Sequence, residues 1–238
     1  MTIKAILFDK DGTLIDVNRT WIPLYRKLLT IELDATPSAV ETLLVKAGYD
    51  PVSNSFLPGS VLGGGTTRQL VALWWPALDT MAQQKMARRI DHEYAPMARQ
   101  YLKPLLDLVP VFEGLKKLGL RLGVATNDSV ASASGQMQAL AVEHYFEQII
   151  GADTVEIAKP SGQMIQHFSA QSGLACDEIA MVGDNTHDME EALHGGAGMA
   201  IGVLSGNARH QDIAHLAHHI FDDVSALPSF FAEHRSVL

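Results

Sequence analysis

The sequence predicts an α/β fold, a Rossmann-like doubly wound parallel sheet with an inserted all-helical segment. Three observations predict it. Short apolar runs without polar alternation recur along the chain, as strands buried on both faces do. Segments with helical apolar spacing lie between most of those runs, which is the pattern of βαβ units. Residues 17–99 break the alternation, with helical patterns and no strand-like run.

The first strand is expected at residues 3–8, closed by the turn-forming pair Asp11-Gly12. Helices are then expected at 21–32, 38–47, 66–75 and 80–94, forming an insertion over the carboxyl edge of the sheet; a dimerisation arm is the alternative. A helix at 105–118 ends at Gly119, a residue suited to a C-terminal cap. Strand 120–126 follows, then helix 129–140, strand 148–151, helix 162–172 and strand 179–182. A short helix at 188–194 runs into Gly195-Gly196, and strands at 198–203 and 219–221 complete the sheet. The organisation is therefore a core of 1–16 and 100–238 around an inserted segment, 17–99.

With 238 residues and 47% hydrophobic composition, the chain can bury a sizeable core without disulfides. Its single cysteine, Cys176, forms no internal disulfide and is expected to act as a small buried hydrophobe. The formal net charge of −9 argues against nucleic acid or an anionic membrane as a partner held by bulk electrostatics. No apolar stretch approaches the ~20 residues that span a bilayer, and the N-terminus lacks a signal-peptide pattern. A cytoplasmic protein, monomer or homodimer, is the expectation. The histidines His210, His215, His218 and His219 have no compact ligand spacing and are expected to be structural.

Four loop motifs follow four expected strands, and parallel strands bring their carboxyl ends to one side. Asp9-Lys10-Asp11-Gly12-Thr13 puts two carboxylates at the first strand end; one can attack phosphorus and the other can move the proton. Gly12 permits the tight turn. Thr126-Asn127-Asp128 offers a hydroxyl and loop amides, or an N-cap for the next helix. Lys159 precedes Pro160 at a defined turn and can neutralise anionic charge. Gly183-Asp184-Asn185-Thr186-His187-Asp188 offers hard oxygen ligands suited to Mg²⁺, or a helix cap at Asp184 or Asn185. Acidic loops meeting at one edge would repel unless a cation lay between them, which favours the metal reading.

Together these motifs resemble the haloacid dehalogenase superfamily, across residues 1–16 and about 101 to the C-terminus. The resemblance implies Asp9 as nucleophile and Asp11 as general acid and base, with Thr126, the Asn127 amide and Lys159 holding the phosphoryl group. It implies Mg²⁺ held by Asp9, Asp11 (through its backbone carbonyl) and Asp184, with Asp188 orienting a metal-bound water or Lys159. Asp11 points away from the dehalogenase branch, which lacks this acid. Residues 182–206, and Gly63-Gly64-Gly65 before Thr66-Thr67-Arg68, resemble the phosphoglycolate phosphatase group. That resemblance implies a small phosphorylated metabolite as substrate, with Gly64 and Arg68 as candidate contacts.

Two departures stand out. Ser161-Gly162 follows Pro160 where relatives carry a second proline, and Gly64 stands where relatives are often polar. Trp74 and Trp75 are expected to be core of the insertion rather than a substrate platform. Phosphomutase or phosphonatase chemistry would need a lysine or histidine from the insertion near the site. A non-catalytic protein is disfavoured because the acids and the lysine are all present.

Overall fold

The computed structural model describes residues 2–234. Six strands form one parallel sheet: β1 (Ala5–Phe8), β4 (Arg121–Ala125), β5 (Gln148–Ile150), β6 (Ile179–Gly183), β7 (Met199–Val203) and β8 (His219–Phe221). Their order is β5-β4-β1-β6-β7-β8. The first strand therefore sits centrally, with the Asp9 loop between the loops that follow β4 and β6. Register is direct, with Phe8 opposite both Val124 and Val182.

The central strands are apolar throughout because both faces are covered. Ile6, Phe8, Leu122 and Val182 meet α6 (Leu108–Lys117) and α11 (Leu227–His234) on one face. Leu7, Ala125 and Met181 meet α8 (Gln163–Ser172) and α9 (Thr186–Gly195) on the other. Of the other core helices, α10 (His210–Ile213) follows β7, and α7 (Val130–Ala139), beside β4, starts at an N-cap supplied by Ser129 rather than Asp128.

The helical segment has an apolar core of its own, running from Val17 to Ala98. It comprises α1 (Val17–Leu33), α2 (Pro37–Ala47), α3 (Val61–Gly64), α4 (Thr67–Trp74) and α5 (Thr80–Arg89), continued by wide and tight turns through Gln100. One expectation is corrected. A small antiparallel hairpin, β2 (Tyr49–Asp50) with β3 (Ser55–Phe56), interrupts the helices. Strands two residues long leave no periodic pattern to read. Asp16 accepts the Arg19 amide and starts α1 four residues earlier than expected.

Cys176 is half-buried rather than fully enclosed, at the edge of the second core layer. Of the histidines, His218 accepts the Ala200 amide and His219 packs on Phe230. No helix among the described residues is long and apolar enough to cross a membrane.

Candidate active site

Asp9 leaves the end of β1, Thr126 and Asn127 leave β4, and Asp184 leaves β6, so one sheet edge collects them. Asp9, Asp184 and Asp188 are buried and each offers a carboxylate oxygen within 4.8 Å of the others. Lys159 is buried among them. Its ammonium donates to Asp9 Oδ1 at 2.6 Å, Asp188 Oδ1 at 2.6 Å and the Ala125 carbonyl at 2.9 Å. All three of its N–H donors are thus engaged by the protein.

Three carboxylates face one lysine. Burial, with the charges of Asp188 and Asp11, pushes Asp9 up to about 7 despite the opposing pull of Lys159. Burial and the same crowding push Asp184 well above the usual carboxylate range. These groups ionise together only if further positive charge arrives, and hard oxygen donors suit a divalent Mg²⁺. Space for such an arrangement is tight. Gly12 has φ +91°, and a Cβ there would lie 2.6 Å from the Asp184 carboxylate. Asp184 also accepts the Asn207 amide at 3.1 Å, from the loop after β7.

The Asp11 side chain is turned away from this trio. Lys10 Nζ donates to its Oδ2 at 2.6 Å and Trp21 Nε1 to its Oδ1 at 2.5 Å. Lys10 is fully buried, donates also to Gln136 at 2.7 Å, and lies 3.2 Å from Asp128. The sequence reading missed Lys10, Gln136 and Trp21. Lys10 lies just past the end of β1, where strand alternation no longer applies, so no period marks its contact with Asp11. Gln136 and Trp21 carry no local signal, since they reach the site only through folding. Replacing Lys10 by Met leaves Asp11 and Asp128 without their shared cation. We expect a loss on the order of 3 kcal/mol, read as a lower midpoint in urea unfolding; an unchanged midpoint contradicts it.

The other expected residues fall as follows. Thr126 is buried beside Asp9's loop and its hydroxyl accepts the Asp128 amide at 3.2 Å. The Asn127 side chain makes three hydrogen bonds to two other backbone segments. It donates to the carbonyls of Gly64 (2.8 Å) and Lys159 (3.2 Å) and accepts the Lys159 amide (3.0 Å). Asn185 is the N-cap of α9 and donates to the Gly63 carbonyl at 3.0 Å. The glycine loop is thereby held down onto the core at two points. Gly64 lines the chamber above Asp9, and any side chain there would collide with the His187 ring, which accounts for its lack of a polar group. Burial pushes His187 down to about 4. Arg68 is exposed and lines an outer groove with Asp91 and Asp153, not the chamber. The Ser161-Gly162 loop is closed without a second proline, because buried Glu191 accepts the amides of Gly162 (2.6 Å) and Met164 (2.8 Å).

Residues 3–196 match the family model for haloacid dehalogenase-like hydrolases. The chain belongs to that family. As a haloacid dehalogenase-like hydrolase it is an enzyme of the phosphoric monoester hydrolase class. Among its relatives is a phosphoglycolate phosphatase of Rhodospirillum rubrum, 28% identical over 228 residues, covering 94% of this chain and 89% of the relative. An N-acetylmuramic acid 6-phosphate phosphatase of Pseudomonas aeruginosa is 24% identical over 196 residues, covering 82% of this hydrolase and 80% of the relative. The crystal structure of a hydrolase from Pseudomonas syringae superposes with a TM-score of 0.72 at 20% identity, over 98% of this chain and 99% of the other. That likeness concerns the fold.

Proposed function

We propose that this hydrolase is a Mg²⁺-dependent phosphatase that works through a phosphoryl group carried on Asp9. The observation that supports it is the buried trio Asp9, Asp184 and Asp188 gathered around Lys159 at one sheet edge. A carboxylate oxygen of Asp9 attacks phosphorus, and the P–O bond to the leaving alcohol breaks. Asp11, two residues on, gives its proton to the leaving oxygen. A water then attacks the acyl phosphate, Asp11 takes its proton, and inorganic phosphate leaves with Asp9 restored. Thr126 and the Asn127 amide hold the phosphoryl oxygens, while Lys159 keeps Asp9 in line. The residues that would hold Mg²⁺ are Asp9 and Asp184, with the Asp11 carbonyl, and Asp188 acting through Lys159 or a water. When bound, the ion supplies positive charge that offsets the negative charge gathering on the phosphoryl oxygens.

Residues 17–99 act in this reading as a cap over the core of 1–16 and 100–238, in a cytoplasmic monomer or homodimer. The substrate is a small phosphorylated metabolite. The names of similar proteins put phosphoglycolate among the candidates. Phosphomutase or phosphonatase chemistry is not favoured, since none of Lys27, Lys46 and Lys85 lines the chamber over Asp9.

The test is release of phosphate from an aryl phosphate with and without Mg²⁺, from pH 5.5 to 8. Mg²⁺ binding needs Asp9 deprotonated, and Asp9 without metal sits near 7. Asp184 is raised as well, so half-saturating Mg²⁺ should rise by at least about tenfold per pH unit below 7, one or more protons being displaced per ion. Release that ignores Mg²⁺, or a half-saturation flat across this range, counts against the proposal.

A further inference from the structure

The chamber above Asp9 has an unusual wall. On the side of the inserted segment it is built from Trp21, Tyr25, Leu28, Leu70, Trp74 and Ile90. The aromatic members are in mutual contact: Trp21 stacks on Tyr25 with centroids 5.6 Å apart, and Tyr25 meets the edge of Trp74 at 5.5 Å. Trp74 belongs to the apolar cluster of the insertion, as expected from sequence, but it also faces the chamber. Its indole N–H is held by the Leu43 carbonyl at 3.0 Å, which fixes the ring in place.

No lysine or arginine among the described residues lines this chamber. Asp11 and Asp128 do line it, and Lys10 lies between them rather than toward a ligand. The one imidazole, His187, is packed beneath Gly64 with Nε2 3.5 Å from Asp188. Arg68, the candidate clamp, lies in the outer groove. At the N-terminus of α4 a capping box engages two of the amides, Thr66 and Gln69 satisfying each other. Lys10 also lies 5.2 Å from the Trp21 ring centroid but is already paired with Asp11 and Asp128. A carboxylate carried by the substrate would therefore be desolvated here without a free countercharge, beside acids of its own sign.

We infer that the substrate is the phosphate monoester of an uncharged, ring-bearing alcohol, whose ring lies against the Trp21–Tyr25–Trp74 wall while its phosphate reaches Asp9. The inference rests on the phosphatase reading above and narrows it away from esters whose alcohol carries a carboxylate. Planar rings gain both area burial and stacking on such a wall.

The experiment compares kcat/KM of the full chain with Mg²⁺ for benzyl phosphate, ethyl phosphate and phosphoglycolate. All three are alkyl esters, so ring and charge vary while the chemistry stays similar. Benzyl phosphate should exceed phosphoglycolate by on the order of 10²-fold, with ethyl phosphate between them. In Trp74→Ala the benzyl-to-ethyl ratio should collapse, and Trp74→Phe, which keeps a ring and the packing, should retain part of it. Turnover of phosphoglycolate at or above that of benzyl phosphate overturns the inference and leaves the phosphatase reading standing, as does a ratio unmoved in a folded Trp74→Ala. No Mg²⁺-dependent turnover of any of the three overturns both.

Discussion

Asp9→Asn should abolish turnover, with phosphate release falling by at least ~10⁴-fold, the scale of losing a nucleophile that acts as part of a unit. The substitution is nearly isosteric. The amide oxygen can still accept from Lys159, which lies 2.6 Å from Asp9 Oδ1. The fold should therefore survive. Indeed, one of three crowded carboxylates is gone, so the metal-free variant should melt no lower than the parent protein. Its gain in melting temperature on adding Mg²⁺ should shrink, because one of the ion's charged ligands is missing. Single-turnover assay and thermal melts with and without Mg²⁺ read all three effects. A variant that keeps a tenth or more of the parent rate would rule out Asp9 as the attacking group.

Lys159→Met should damage both stability and activity. Among the described residues, Lys159 is the one lysine or arginine within bonding reach of Asp9 and Asp188, and all three groups are buried. Removing one partner of a buried charge cluster costs roughly 3–5 kcal/mol, or a fall in Tm on the order of 10 °C for a chain of this size. The deficit should depend on pH. Without the ammonium, Asp9 is raised further above the ~3.8 expected of it in the unfolded chain. A carboxyl group with a raised folded pKa contributes its full stability below the unfolded value and loses it as pH rises through the folded one. The gap between parent and variant should thus be larger at pH 8 than at pH 5. Mg²⁺ should recover part of the loss at pH 8. Equal melting curves for parent and variant at both pH values would show that Lys159 does not balance these acids.

Much of the fold was legible because it rests on local pattern. Runs such as Ile179–Gly183 are apolar at every position, and that follows from a strand covered on both faces. Three of the motifs begin where β1, β4 and β6 end, so their convergence follows from parallel pairing, while Lys159 reaches them from within the long loop between β5 and α8. Asp16, which starts α1, and the β2–β3 hairpin were not legible, because a single cap residue and two-residue strands leave no period.

The sequence by itself determined the sheet, the place of the insertion and the acids, hydroxyl and lysine gathered at the strand ends. These depend on periodicity and on chain direction, and both are local properties. Only the tertiary structure decided what surrounds them. It turned Asp11 toward Lys10 and Trp21, engaged every donor of Lys159, and pinned the glycine loop through Asn127 and Asn185. It also moved Arg68 out to a groove and brought Trp21, Tyr25 and Trp74 together over Asp9. Each of these joins residues from separate elements, and their distances are set by how the helices pack on the sheet edge rather than by any spacing along the chain.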